Sequence, residues 1–152
     1  MSEKMTLEEF HSKIAKETNN GIWPTLDKEN PPMAELEEAL HMAHTSTWHW
    51  SKIGKPVNIA RGEYMISRVN SAMGRGQSAL AHAERCLEIV KSNEAEDWDL
   101  AFAYEALTRA YVTLGDKSNA KKFKTLAQRA TDEIKGEEDK KICQGELDKV
   151  KF

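Results

Sequence analysis

Two stretches of the chain decide its fold: residues 60–74 read ARGEYMISRVNSAMG, and residues 101–115 read AFAYEALTRAYVTLG. They lie 41 residues apart, and alignment at that offset places identical or similar residues opposite each other. The matched pairs are Ala60 with Ala101, Ile66 with Leu107, Ser67 with Thr108, Arg68 with Arg109, Met73 with Leu114, Gly74 with Gly115 and, just beyond the stretches, Ala79 with Ala120. Self-similarity at a period of this size is typical of stacked helical repeats. Proteins of that kind use extended concave surfaces for binding, so the repeat favours binding over catalysis.

Helical periodicity and helix-end signals extend this pattern over the whole chain. Thr6 and Glu9 form a capping box at the start of a first helix, which Gly21 and Pro24 either end or kink. Six further helices are predicted over residues 33–53, 57–73, 77–91, 97–114, 117–134 and 137–150, with Asp97 as the N-cap of the fifth. No segment alternates apolar and polar residues as a strand does. The sequence therefore predicts an all-α fold of about seven helices.

Small side chains recur where neighbouring helices must approach closely, at Ser67, Ala79, Cys86, Thr108, Ala120 and Ala127. Larger side chains at such crossings would force the helices apart. With their turn glycines, the two related segments resemble tetratricopeptide repeats over about residues 60–134. The resemblance implies an antiparallel stack of helix hairpins. The chain also resembles a group of bacterial proteins whose activity is not established, and that likeness implies no function.

The chain departs from the family pattern in four respects. Its spacing is 41 residues, whereas the family repeats about every 34 residues. Glu63 and Asn70 occupy positions where the family favours aromatic residues, Lys124 does so in the second unit, and neither unit ends in proline. The segment over residues 94–100 accounts for the longer spacing.

One domain over residues 1–152 accommodates all these helices. We predict a degenerate first helical pair over residues 6–53, repeat-like units over 60–93 and 101–134, and a C-terminal cap helix over 137–150. The cap helix is strongly charged, as the terminal unit of a helical stack must be to remain soluble.

Composition excludes several classes of function. The net charge is −3, whereas a nucleic-acid-binding domain usually carries a basic face. No apolar run approaches the roughly 18 residues of a membrane span, and no apolar stretch follows the N-terminus as in a signal peptide. The chain has two cysteines, Cys86 and Cys143, in neither a disulfide framework nor a ligand spacing. We therefore expect a cytoplasmic protein that binds neither nucleic acid nor membrane, and the resemblance to the bacterial group implies a bacterial one.

The candidate binding residues come from the family resemblance. In tetratricopeptide repeats the first helix of each unit lines a concave groove, which implies that Arg61, Tyr64, Arg68, Glu105 and Arg109 face such a groove here. Arginine suits the bidentate recognition of a carboxylate, so the implied partner is a protein or peptide with acidic groups or a free C-terminus. Alternatively, Arg68 and Glu105 form an interhelical ion pair that fixes the packing. Both interpretations remain open at this stage.

A metal site between two helices is a second hypothesis. His41 and His44 are three residues apart, and His82 and Cys86 are four apart, so each pair shares a helix face. The sequence has no His-Glu-x-x-His motif or paired Cys-x-x-Cys motif. Cys86 also occupies a small packing position of the repeat, which explains this residue without a metal. We therefore expect no metal and no cofactor.

The function that these patterns favour is a non-catalytic module for protein or peptide binding, or a scaffold, that uses a concave helical groove. No residue is predicted to be catalytic, and the chain is not expected to be an enzyme. The alternative is a metal-dependent enzyme or small-molecule binder that uses the histidine and cysteine pairs. A third interpretation is a homodimer formed through tryptophan-rich or cap-helix surfaces.

Overall fold

The chain forms seven α-helices joined by short connections, in a computed structural model that describes residues 4–152. The helices are α1 (Leu7–Leu26), α2 (Met33–Ile53), α3 (Pro56–Ala72), α4 (Gly76–Ser92), α5 (Asp97–Leu114), α6 (Lys117–Asp132) and α7 (Glu137–Asp148). The described part of the chain contains no strand, so the predicted all-α fold is confirmed. The first three residues of the predicted domain lie outside the described residues.

The helix ends follow from local hydrogen bonds. The Thr6 Oγ1 atom accepts a hydrogen bond of 3.0 Å from the backbone N–H of Glu9, as the capping box predicts. Helix α1 continues through Pro24 to Leu26. Proline has no backbone N–H to donate, but Pro24 lies close to the end of the helix, where water easily replaces the lost hydrogen bond. The prediction for Asp97 was wrong by one residue, because Glu96 is the N-cap of α5. The Asp97 carboxylate instead accepts a hydrogen bond from the backbone N–H of Lys135.

Two glycines end the first helix of each related segment in the same way. Gly74 and Gly115 both have a φ of 78°, a left-handed conformation that glycine adopts without a Cβ clash. After Gly74, the N–H of Arg75 donates to the carbonyl of Asn70 at 2.9 Å, and after Gly115, the N–H of Asp116 donates to that of Tyr111 at 3.0 Å. The residues aligned by sequence therefore form equivalent turns.

Short side chains allow the helices to pack closely. The hydroxyl of Ser46 on α2 donates to the carbonyl of Ala15 on α1 at 2.7 Å, and that of Ser67 on α3 donates to Ala79 on α4 at 2.8 Å. Gly62 on α3 is buried against Thr47 on α2. The crossings are thus held by van der Waals contact and by hydroxyl groups whose hydrogen bonds are satisfied in the interior.

The helices are arranged in two layers. Each helix packs against the next along the chain, and the odd-numbered helices also contact one another, α1 with α3, α3 with α5, and α5 with α7. Within residues 4–152, the even-numbered helices make no comparable contacts with one another. The odd-numbered layer is therefore the inner, more closely spaced one, and we call its open surface the concave face.

Candidate functional site on the concave face

A buried ionic network lies at the centre of the concave face. The guanidinium group of Arg68 on α3 is only 4% exposed. Its Nη1 atom donates to Tyr64 Oη at 3.0 Å and lies 2.7 Å from Glu146 Oε2 on α7 and 3.7 Å from Glu105 Oε1 on α5. The guanidinium also stacks over the ring of Trp23 on α1, 5.2 Å from its centroid. Arg68 thus connects all four helices of the inner layer.

Glu105 is the second centre of this network. Its Oε1 atom accepts hydrogen bonds from Tyr64 Oη at 3.2 Å and from Arg109 Nη2 at 2.9 Å. Arg109 Nη2 also donates to the backbone carbonyl of Glu146 at 3.2 Å, which attaches α7 to α5. Glu105 Oε2 and Arg109 Nε are buried without a hydrogen-bond partner in the described part of the chain. The hydrogen bonds and ion pairs of the Glu105 carboxylate are therefore concentrated on its Oε1 atom.

The protonation states in the network follow from its charges. Burial alone would lower the pKa of Arg68, but Tyr64, Glu105 and Glu146 together hold it above its usual value. Burial alone would likewise raise the pKa of Glu146, yet the charge and hydrogen bond of Arg68, with help from Lys149, hold it below its usual value. Burial and then Glu105 raise the pKa of Tyr64, so its phenol stays protonated and donates. Two cations and two anions thus balance each other.

Arg61 makes a separate ion pair nearer the start of α3. Its Nε and Nη2 atoms donate to the two carboxylate oxygens of Asp99 at 2.9 and 3.0 Å. The guanidinium group stacks on the ring of Trp98, 4.3 Å from the centroid. Asp99 itself lies in the first turn of α5. Its carboxylate does accept from the N–H of Glu96 at 3.0 Å, and the ion pair is an additional role.

All five candidate residues lie on helices of the inner layer, and the structure brings four of them together. Tyr64, Arg68, Glu105 and Arg109 form the central network, and Arg61 lies apart with Asp99. The Arg68–Glu105 ion pair that was left open as an alternative is present at 3.7 Å. Each of the three arginines already has a carboxylate partner within the chain. Direct contact with a partner is therefore expected mainly from residues around the network.

A wide cleft of about 730 Å³ adjoins the network and runs between the ends of α1, α3, α5 and α7. Its walls include Arg68 and Arg109 and also three lysines that the sequence did not single out, Lys28, Lys149 and Lys151. Two acidic residues, Asp27 and Glu29, line it as well. We call this the basic cleft. No motif marks the three lysines, because they come together only when the residues after α7 fold back towards the end of α1.

A smaller cleft of about 220 Å³ opens on the other side of the network, towards the start of α3. Its walls are mostly apolar or aromatic, and we call it the apolar cleft; its lining comprises Asn19, Trp23, Ala60, Arg61, Tyr64, Met65, Cys86, Trp98, Asp99 and Phe102. Burial, followed by the charges of Asp99, Glu63 and Glu105, raises the pKa of the Cys86 thiol to about 12. This thiol is therefore neutral at physiological pH and contributes apolar surface.

The histidines predicted as an alternative metal site are only partly brought together. The rings of His44 and His82 lie 6.0 Å apart, and His82 Nδ1 is 2.5 Å from Glu63 Oε2. His41 is exposed, and Cys86 lines the apolar cleft. Within residues 4–152, no group of three or more histidine, cysteine or acidic side chains has an arrangement that could hold a metal ion. The structure therefore gives the metal alternative no support.

A second histidine pair, which the sequence did not predict, joins α1 to α2. His11 Nδ1 and His49 Nδ1 are 2.8 Å apart, so one nitrogen must donate a proton and the other must accept it. The two rings pack with Phe10 and Trp48 at centroid distances of 5.0 to 6.4 Å. This arrangement is compatible with at most one charged imidazole.

Stability is expected to fall as the pH is lowered from 7.5 to 5. Burial and then His11 lower the pKa of His49 below 6.5, and burial and then His82 lower that of His44. The unfolded chain therefore binds more protons below about pH 6.5, and the folded state loses stability as the pH falls through that range. The urea concentration at the midpoint of unfolding should be lower at pH 5 than at pH 7.5. The variant His49→Gln should show a smaller difference between these two midpoints. An unchanged pH dependence in His49→Gln would contradict this assignment.

Two further findings concern the chain as a whole. No helix in residues 4–152 combines the length and the apolar character needed to cross a membrane. Comparison with protein-family models, with curated proteins and with solved structures gave no significant match.

Proposed function

We propose that this protein is a non-catalytic binding or scaffold module that holds an acidic segment of a partner protein on its concave face. The observation that carries the proposal is the basic cleft, which four helices of the inner layer form together. Its volume of about 730 Å³ lies within the roughly 300–1,000 Å³ typical of ligand-binding clefts. The equivalent turns after Gly74 and Gly115 support a stack of repeated hairpins, similar to tetratricopeptide repeats, as the scaffold of this surface.

The charge of the basic cleft favours an acidic ligand. Five basic and two acidic side chains line it. The carboxylates of Glu105 and Glu146 neutralise Arg68 and Arg109, and Glu35 forms an ion pair of 2.6 Å with Lys28, so within residues 4–152 the lining cation without an ion pair is Lys151. This exposed cation lies on a chain whose net charge is −3. Local charge of opposite sign attracts an acidic segment and orients it during association.

Two lysines at the edge of the basic cleft, Lys149 and Lys151, give this attraction a binding geometry. Lys149 forms ion pairs with Glu146 at 3.1 Å and with Asp27 at 3.9 Å, both close to the surface. Lys151 lines the cleft and is exposed, so its ammonium group is accessible. A carboxylate at this position would exchange water for charged donors, and hydrogen bonds to charged groups contribute about 1.5–3 kcal/mol. The C-terminal carboxylate of a peptide satisfies these requirements.

The proposal includes a cytoplasmic location. Both cysteines are free thiols buried in the fold, as a reducing compartment requires.

We expect the protein to bind acidic peptides with a free C-terminus more tightly than the same peptides with an amidated C-terminus. A labelled library of peptides ending in Glu or Asp, measured by fluorescence anisotropy, tests this, and the expected preference is roughly tenfold. The variant Lys149→Gln/Lys151→Gln should weaken binding about fivefold or more, since it removes two charges from the basic cleft. The matched control is Lys135→Gln/Lys141→Gln, which removes two exposed charges outside the cleft. Equal losses in both variants, or no acidic peptide bound at all, would contradict the proposal.

A further inference from the structure

The imidazole rings of His11 on α1 and His49 on α2 place two nitrogen atoms at the spacing of two ligands of one metal ion. Their Nδ1 atoms are 2.8 Å apart, and the ring planes are inclined at 51° to each other. At a metal–nitrogen distance of about 2.0–2.1 Å, two ligands at a right angle lie about 2.8–3.0 Å apart, whereas two at the tetrahedral angle lie about 3.3–3.4 Å apart. The observed spacing therefore fits two adjacent ligands of a square-planar or octahedral ion.

The spacing of the two histidines is fixed by the packing of their helices. The hydroxyl of Ser46 on α2 donates to the carbonyl of Ala15 on α1 at 2.7 Å, in the interior of the hairpin. Ala15 lies about one turn after His11, and Ser46 lies about one turn before His49, so this hydrogen bond holds α1 and α2 together beside the histidine pair. Ligands that are already held at the required distance bind an ion without rearrangement of the helices.

Aromatic rings surround the pair and leave it open to solvent on one side. Phe10 packs edge to face against His49, and Trp48 does so against His11, at centroid distances of 5.9 and 5.8 Å. Both aromatic side chains are exposed and His49 is half-buried, so an ion reaches the pair from solvent. Within residues 4–152, no third histidine, cysteine or acidic side chain joins the pair in an arrangement that could hold a metal ion, so water fills the remaining positions.

We propose that His11 and His49 form a binding site for Cu²⁺ or Ni²⁺, which both Nδ1 atoms and water coordinate and which joins α1 to α2. Imidazole is a usual ligand of these ions, and both ions accept nitrogen and oxygen ligands at right angles. The ion takes the place of the hydrogen bond between the rings. The proton on the donating Nδ1 moves through solvent to Nε2 of the same ring, so each imidazole stays neutral, as a metal ligand must be. The site is separate from the basic cleft and shares no lining residue with it.

Titration calorimetry with Ni²⁺ tests the site, on protein without an affinity tag at pH 7.5. We expect one ion per chain in the wild-type protein. The variants His11→Gln and His49→Gln should each weaken binding tenfold or more, because loss of even a residue that supports a ligand costs about 10–100-fold in metal affinity. The matched control is His41→Gln, which removes an exposed histidine of α2 outside the pair and should leave the affinity unchanged.

Two further measurements on the wild-type protein keep the proposal testable if a histidine variant does not fold. Ni²⁺ at about 100 times its Kd should raise the unfolding temperature by about 5–10 °C over that in a chelator, because the ion binds only the folded state. Electron paramagnetic resonance of the protein with one equivalent of Cu²⁺ should show two coordinated imidazole nitrogens. Absence of binding, equal affinity of the wild-type protein and His49→Gln, or Cu²⁺ coordinated by fewer than two imidazoles would overturn the proposal.

Discussion

Replacing Arg68 with Met is expected to destabilise the protein by about 3–5 kcal/mol, because it removes the buried cation that Glu105 and Glu146 share. Methionine keeps much of the length and apolar volume of arginine, so the loss comes mainly from charge and hydrogen bonds. Glu105 would keep only Tyr64 and Arg109, and Glu146 would lose its 2.7 Å contact. Urea unfolding, followed by circular dichroism at pH 7, measures the change.

The control for this prediction is Arg129→Met, which removes an exposed arginine from the last turn of α6 and should change stability by less than about 0.5 kcal/mol. Adding Glu146→Gln to the Arg68 variant should restore part of the loss, because the network then keeps one cation, Arg109, and one anion, Glu105. Equal stability of the Arg68 and Arg129 variants would contradict the structural role of the network. Substitutions of Arg68 are poor tests of binding, because they are expected to change the stability of the fold as well.

Gly62→Ala is expected to destabilise the protein by about 1–3 kcal/mol through overpacking between α2 and α3. A Cβ atom on Gly62 would lie 2.2 Å from Thr47 Oγ1 and 2.9 Å from Thr47 Cβ, well inside van der Waals contact. The Thr47 side chain is held in place by a hydrogen bond of 2.8 Å from its hydroxyl to the carbonyl of Ala43. The clash must therefore outweigh the gain of about 1 kcal/mol that alanine offers over glycine inside a helix.

Gly145→Ala is the matched control, because Gly145 is also helical and a Cβ there would meet nothing within 4 Å. This variant should stabilise the protein by up to about 1 kcal/mol, opposite in sign to the Gly62 variant. Thr47→Ala should relieve the Gly62 variant in part, since it removes Oγ1 but leaves the Thr47 Cβ atom 2.9 Å away. If both glycine variants stabilise the protein, the close approach of α2 and α3 at Gly62 is wrong.

The sequence predicted the helices well because helix boundaries depend on local signals. These signals act through neighbours a few residues away, and they include the Thr6 capping box, Gly74, Gly115 and Pro56. The observed bounds of α2 to α7 lie within two residues of those predicted, whereas α1 continues beyond Gly21 and Pro24 to Leu26. Asp97 was misplaced by one position because aspartate is a preferred N-cap residue. In the structure the Asp99 carboxylate accepts from the N–H of Glu96, and the Asp97 carboxylate accepts from that of Lys135.

The candidate site was predicted less completely because its partners are distant in sequence. Trp23 lies between Gly21 and Pro24, where the first helix was predicted to end or kink, and Glu146 lies on the strongly charged cap helix. Neither pattern singled out these two residues. Both residues nevertheless contact Arg68 across the inner layer. The two lysines that follow α7, Lys149 and Lys151, reach the basic cleft for the same topological reason. Periodicity identifies which residues share one face of a helix. The packing of the whole layer determines which residues of other helices contact that face.

Chemical-shift mapping tests the central claim most directly. Uniformly ¹⁵N-labelled protein is titrated with an acidic peptide that carries a free C-terminus, at a salt concentration of about 0.15 M. We predict shift changes that saturate together at the amides of Ser71, Thr113 and Lys151, which line the basic cleft, and little change on α4 and α6. Saturable changes confined to the even-numbered helices, or none for any acidic peptide in the library, would contradict binding on the concave face.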